Sequence, residues 1–236
     1  MTKKILPTMI GAILVGGMAA AQADVTVMGH IDTSVDAVDN DLTGLDDTNL
    51  NCTTCSVGFK GSEDLGNGLQ AIFKLDFQFD MNNRNRGSIT DRDQWLGMAG
   101  NFGSVKVGTI STPYKSTGAK LDPGYRTIAQ MRDVGIQSAL HSGAGSNGQG
   151  RAENTARYDS PSWSGFSFIV DYSLDDDDAN DGDDTYGGAI RYTNGGIYAF
   201  ANYMTTDNGG DDDVWKIGGS YKWNDFGLYG QYEVGA

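Results

Sequence analysis

The sequence predicts an all-β protein, a transmembrane antiparallel up-and-down β-barrel, and three observations carry that expectation. Apolar and polar residues alternate in run after run, the connections between runs alternate short and long, and charged side chains recur on the polar face. "LQAIFKLDFQF" shows the first of these. Leu69, Ala71, Phe73, Leu75, Phe77 and Phe79 fall on one face, with Gln70, Ile72, Lys74, Asp76 and Gln78 between them. A side-chain period of two is that of a strand with one apolar and one wet face.

The 236-residue chain opens with Lys3 and Lys4, continues with the apolar "ILPTMIGAILVGGMAAA", and reaches the small-x-small triplet Ala21–Ala23 before Asp24. That three-part layout predicts a secretory signal peptide over residues 1–23, with the barrel domain over 24–236. The formal charge of −14 opposes a nucleic-acid partner.

From Asp24 onward the alternation predicts strands near 25–36, 55–61, 69–79, 92–99, 104–111, 153–159, 166–174, 185–193, 197–205, 214–222 and 227–234. Their length suits tilted strands crossing a bilayer core. "EDLGNG", "GNFG", "DSPSWSG", "NGG" and "NDFG" read as short turns. The connections 37–54, 80–91, 112–152, 175–184 and 206–213 read as longer loops. Strict alternation of short and long is the habit of a membrane barrel, with tight turns on one rim and loops on the other.

The faces agree. One carries Val25, Val27, Ile31, Val35, Val57, Phe59, Leu96, Met98, Val105, Val107, Phe168, Val170, Ile190, Ile217 and Leu228. The other carries His30, Asp32, Lys60, Lys74, Asp76, Lys106, Arg157, Asp171, Arg191, Lys216 and Glu233. A filled soluble barrel would place apolar side chains at its centre; here the charges predict a watery lumen and an apolar face against lipid. Phe102, Trp163, Phe166, Trp223 and Phe226 gather at the short turns, as rings at headgroup level do.

Other motifs resolve to bland readings. Cys52 and Cys55 in "CTTC" lack the further ligands of a zinc site and the βαβ setting of a redox site, so a small disulfide is expected. "DDDDANDGDD", Asp175–Asp184, satisfies no register of a calcium loop and reads as a solvated acidic loop. His141 and Ser146 lie in a Gly-rich loop, and His30 is the only other histidine, so no catalytic residue is expected. No metal site and no cofactor are expected either.

The wording of several segments is also distinctive. "VGFKGSEDLGNGLQAIFKLDFQFD", "WLGMAGNFGSVKVG", "TPY" and "ARYDSPSWSGFSF" occur in order at compatible spacing, and together they resemble the Gram-negative general porin family. The resemblance implies a trimeric barrel of about sixteen strands whose third external loop folds inward to narrow the pore. The matching connection is 112–152, the longest in the chain, and a long loop in a compact barrel calls for a functional explanation. "YRTIAQMRDV", Tyr125–Val134, has local helical character. Two departures from the family stand out. Thr109 follows Gly108 where the family usually has a wall arginine. The chain also ends at "YEVGA" after about eleven strands, without the family's terminal aromatic, so it is expected to be C-terminally incomplete.

Charge is unevenly spread. Residues 56–157 hold 12 basic and 9 acidic residues, a net of +3, whereas the remainder after residue 23 holds 3 and 22, a net of −19. Lys60, Lys74, Arg92, Lys106 and Arg157 form an expected basic wall on neighbouring strands. Asp122 and Asp133 on the long loop are expected to oppose it, with Arg126 and Arg132, and also Lys115 and Lys120, on the same loop. The predicted function is a passive outer-membrane diffusion channel for ions and small hydrophilic solutes, its partners being copies of itself, lipid and lipopolysaccharide. The competing readings are a non-transporting surface barrel acting through acidic loops and a secreted carbohydrate-binding β-protein.

Overall fold

Each apolar run pairs with the next in chain order, and the result is one antiparallel sheet of eleven strands in the order β1 to β11. The computed structural model describes residues 23–40, 45–82, 89–127, 129–131, 150–174, 185–207 and 211–234. The strands are β1 Asp24–Asn40, β2 Leu45–Gly66, β3 Leu69–Gln78, β4 Thr90–Gly100, β5 Gly103–Ser111, β6 Arg151–Asp159, β7 Phe166–Ser173, β8 Thr185–Asn194, β9 Ile197–Asp207, β10 Asp211–Trp223 and β11 Phe226–Val234. All eleven expected runs are strands. The sheet's edges are β1 and β11, and residues 1–22 of the expected leader lie outside the described residues.

The faces divide as the alternation predicts. Val27, Ile31, Leu96, Val107, Ile190 and Leu228 are exposed on the outside, Leu228 by 77% of its surface. An apolar belt of this extent in water would be an aggregation surface; against acyl chains it is at rest. The backbones of β2 to β10 meanwhile pair with a neighbour on both sides, which is the condition for strands at membrane depth. Trp163, Phe166, Trp223 and Phe226 are exposed beside the short turns. Those turns are tight where Asn67, Asn224, Gly68 and Gly196 take the positive φ that two-residue hairpins demand.

Two of the longer connections differ from expectation. Residues 37–54 are mostly strand, because the β1–β2 hairpin continues to Asn40 and resumes at Leu45. Likewise β9 runs to Asp207 and β10 begins at Asp211, so most of 206–213 is ladder. Beyond the lipid slab a hairpin needs no apolar face, and backbone pairing alone continues it. Polar composition there therefore concealed strand. Cys52 and Cys55, both within β2, are joined in a disulfide.

The connection after β5 supplies the only α-helix among the described residues, α1, Pro113–Gly118, followed by a 3-10 turn at Ala119–Leu121. Thr112 caps α1 by accepting from the Lys115 N–H, and Pro113 occupies the first turn, where a missing N–H costs nothing. The expected helix at Tyr125–Val134 is not formed in its described part: residues 125–127 and 129–131 are turn, bend or irregular. Arg126 there has φ 70°, a left-handed conformation that no helix tolerates. The helical signal of that stretch yields to the sharp turns around Asp122–Pro123–Gly124.

Candidate pore lining and constriction

On the inner face of β3–β6 a ladder of opposite charges replaces the uniform basic wall. Its key is a β-bulge. Leu75 pairs with Gln94 and Phe77 with Asp91, so the single residue Asp76 on β3 faces two residues, Arg92 and Asp93, on β4. A bulge breaks the two-residue period and turns consecutive side chains to one side. Both Arg92 and Asp93 thereby join Asp76. Lys74 reaches Asp93 at 2.8 Å and Asp76 at 3.7 Å, and Arg92 reaches Asp76 at 3.2 Å. Arg151 reaches Asp93 at 3.0 Å, and the Ser111 hydroxyl donates to the same carboxylate.

The ladder continues toward the short-turn rim. Register sets Lys106 opposite both Gly97 and Arg157. Lys106 and Arg157 share the two oxygens of Asp159, each at 3.0 Å. Lys106 also stands 5.0 Å over the Trp95 ring, while Arg157 donates to the Ser111 carbonyl at 2.7 Å. Gly97 is what makes room. A Cβ there would lie 2.4 Å from the Val105 carbonyl and 3.0 Å from the Lys106 side chain. Cations held between carboxylates in fixed positions form a polar wall whose local field alternates along the strand direction.

The first part of the long connection, Thr112–Leu121, lies on the inner side and docks on strands remote from its own roots. Helix α1 packs against β7, β8, β9 and β10. Tyr114 is fully buried; its hydroxyl donates to the Glu233 carboxylate on β11 at 2.7 Å. The Lys216 ammonium from β10 sits 3.7 Å over the Tyr114 ring, 3.3 Å from Glu233 and 3.3 Å from the Tyr114 carbonyl. Asn202 on β9 donates to the Thr117 hydroxyl at 2.5 Å, and the Tyr198 hydroxyl donates to the Thr117 carbonyl at 3.2 Å. These oriented contacts hold α1 against the inner face of β9 to β11.

The expected site residues separate into groups. Lys74, Arg92, Lys106 and Arg157 come together in the ladder. Lys60 shares their face as the register partner of Lys74, yet it is exposed and forms no ion pair among the described residues. Asp122 does not oppose the wall. Its carboxylate accepts from the N–H groups of Gly124 at 2.8 Å and Met131 at 2.9 Å, so it holds its own turn together. Opposition comes instead from Asp76, Asp93 and Asp159 on the wall itself. Arg126 reaches the neighbourhood of His30 on β1, on which its charge acts. Arg132 and Asp133 lie outside the described residues. Sequence reasoning missed Asp93, Arg151 and the Tyr114–Lys216–Glu233 cluster. Asp93 shares the face of Trp95, two residues on, and was there to be read from the alternation; the bulge explains Arg92 instead, and the cluster joins Tyr114 to residues more than a hundred positions away.

Comparison with known proteins agrees with this architecture. The sequence model of a family described as Gram-negative porin matches residues 8–235. The major outer membrane protein P.IB of Neisseria gonorrhoeae is 29% identical over 209 residues, covering 84% of this chain and 56% of the relative. The chain thus spans little more than half the length of the relative. Among solved structures, an anion-selective porin from Comamonas acidovorans superposes with a TM-score of 0.75 at 27% identity, over 90% of this chain and 68% of that one. Salmonella typhi OmpF, in complex with daunomycin, shares the fold at a TM-score of 0.66 and 17% identity, over 90% of this chain and 65% of that one. With eleven up-and-down strands, an apolar outside, a charged inside and a family match along nearly its whole length, the chain belongs to the Gram-negative porin family.

Proposed function

We propose that the protein forms a passive, water-filled channel across the outer membrane, open to ions and small hydrophilic solutes and narrowed by the connection 112–152. The observation that carries this reading is the docking of α1 across the inner face, opposite a ladder of charged side chains. Charges so arranged need water beside them, and a loop tied down inside the sheet restricts that water to a passage. Export follows from residues 1–23, and residues 24–236 belong to the barrel. The channel works without a cofactor and performs no catalysis. It assembles with copies of itself, as the family resemblance implies, in a bilayer whose outer leaflet carries lipopolysaccharide.

Liposome swelling with sugars of graded size tests the reading. Swelling whose rate falls steeply with solute size is expected. A folded, inserted barrel that passes no sugar of any size would instead support a surface barrel acting through its loops. Wall charge gives a second handle. Asp93→Asn removes one negative charge beside Lys74 and Arg151. The reversal potential in a salt gradient is expected to shift toward anions. An unchanged potential would place this ladder away from the ion path.

A further inference from the structure

The ladder of β3–β6 matches its cations with carboxylates, but two cations on the opposite part of the inner face have no such match. Lys120 belongs to the 3-10 turn after α1, and Arg191 lies on β8, in register with Ser167 of β7 and Phe200 of β9. Among the described residues, neither has a carboxylate within ion-pair distance. The Lys120 ammonium stands 4.9 Å over the Tyr198 ring. The Arg191 guanidinium is close enough for its charge to act on both Lys120 and the Tyr198 hydroxyl. Its Nε is buried without a hydrogen-bond partner. Partial burial first, and then the Arg191 charge, hold the Lys120 ammonium below the ordinary lysine value.

Two like charges brought together, one with a stranded donor, are relieved by an anion between them. The local build fixes that arrangement. Thr117 is held by Tyr198 and Asn202, so the turn that follows delivers Lys120 to the β9 wall. The aromatic ring beneath the ammonium keeps it in place without neutralising it. Arg191 supplies planar, forked donors and Lys120 a point charge, a combination that suits an oxyanion. The Gly195–Gly196 turn follows β8 within a few residues, so the pair sits on the short-turn side of α1.

We infer that Lys120 and Arg191 form an oxyanion-binding station on the short-turn side of the constriction, taking the carboxylate or phosphate group of small anionic solutes in transit. The inference rests on the channel reading above.

Single-channel recording of the full-length protein in chloride, with inorganic phosphate or acetate added, tests it. Both anions are expected to interrupt the chloride current. In Lys120→Gln and in Arg191→Gln the half-blocking concentration is expected to rise about tenfold, the loss of roughly one charge-assisted hydrogen bond. Lys120→Arg is expected to retain the block, which separates lost charge from a disturbed loop. Block by phosphate alone would restrict the station to phosphate groups. Chloride steps without block by either anion, or with block unchanged in both glutamine variants, would overturn the station and leave the channel standing. Absence of chloride steps from the wild type would overturn the channel and the station together.

Discussion

Glu233→Ala is expected to loosen the constriction and destabilise the fold together. The substitution strips the buried Lys216 ammonium of its carboxylate at 3.3 Å and the Tyr114 hydroxyl of its acceptor at 2.7 Å. Lys216 is fully buried, and removing one partner of a buried ion pair costs about 3–5 kcal/mol. The ammonium keeps the Tyr114 carbonyl and ring, which hold it in place but carry no countercharge. Urea unfolding from detergent is therefore expected at lower denaturant concentration. Bilayer recordings are expected to show larger, noisier steps as α1 loses its hold. The double variant Lys216→Met with Glu233→Leu is expected to recover much of the stability, since no unpaired charge stays buried. A Glu233→Ala protein with wild-type steps and wild-type unfolding would show that α1 is held by its other contacts.

The second large effect is expected on the outside of the same sheet. Val107 lies mid-strand in β5 between Leu96 and Ala156, exposed and facing away from the ladder. Val107→Arg places a cation at membrane depth, where lipid-facing arginine costs about 2–4 kcal/mol near the midplane. Folding into bilayers is expected to fall in yield and midpoint. Lys106→Gln, one residue away on the inner face, is expected to be much milder, because Asp159 keeps Arg157. Equal effects at the two positions would mean that the faces are not lipid and lumen.

That contrast also shows how far the sequence was legible. A period of two, repeated with outward Val, Ile, Leu and Phe, is a local property, and it located every strand. It located the faces as well, wherever the period was unbroken. It could not show the bulge opposite Asp76, because a bulge is a property of the pair of strands rather than of either one. Hence Arg92, which on an unbroken alternation belongs with the opposite face from Trp95, joins the inner side, beside Asp93, the hub that Lys74, Arg151 and Ser111 share. Tyr114 was visible only as part of "TPY"; its partners Lys216 and Glu233 were visible only as inward charges. Nothing local links them. Asp122 shows the opposite failure, since a carboxylate before Pro-Gly has turn chemistry to satisfy first, and that use leaves it folded into its own loop.

The central claim is that the charged inner face lines a conducting passage. Its most direct test is single-channel recording of the full-length protein in planar bilayers, comparing wild type with Lys74→Ala and Lys106→Ala. Stable steps, with ion preference shifted away from anions in both variants, are the predicted result. A folded and inserted barrel that gives no steps, or steps whose selectivity ignores both lysines, would contradict it.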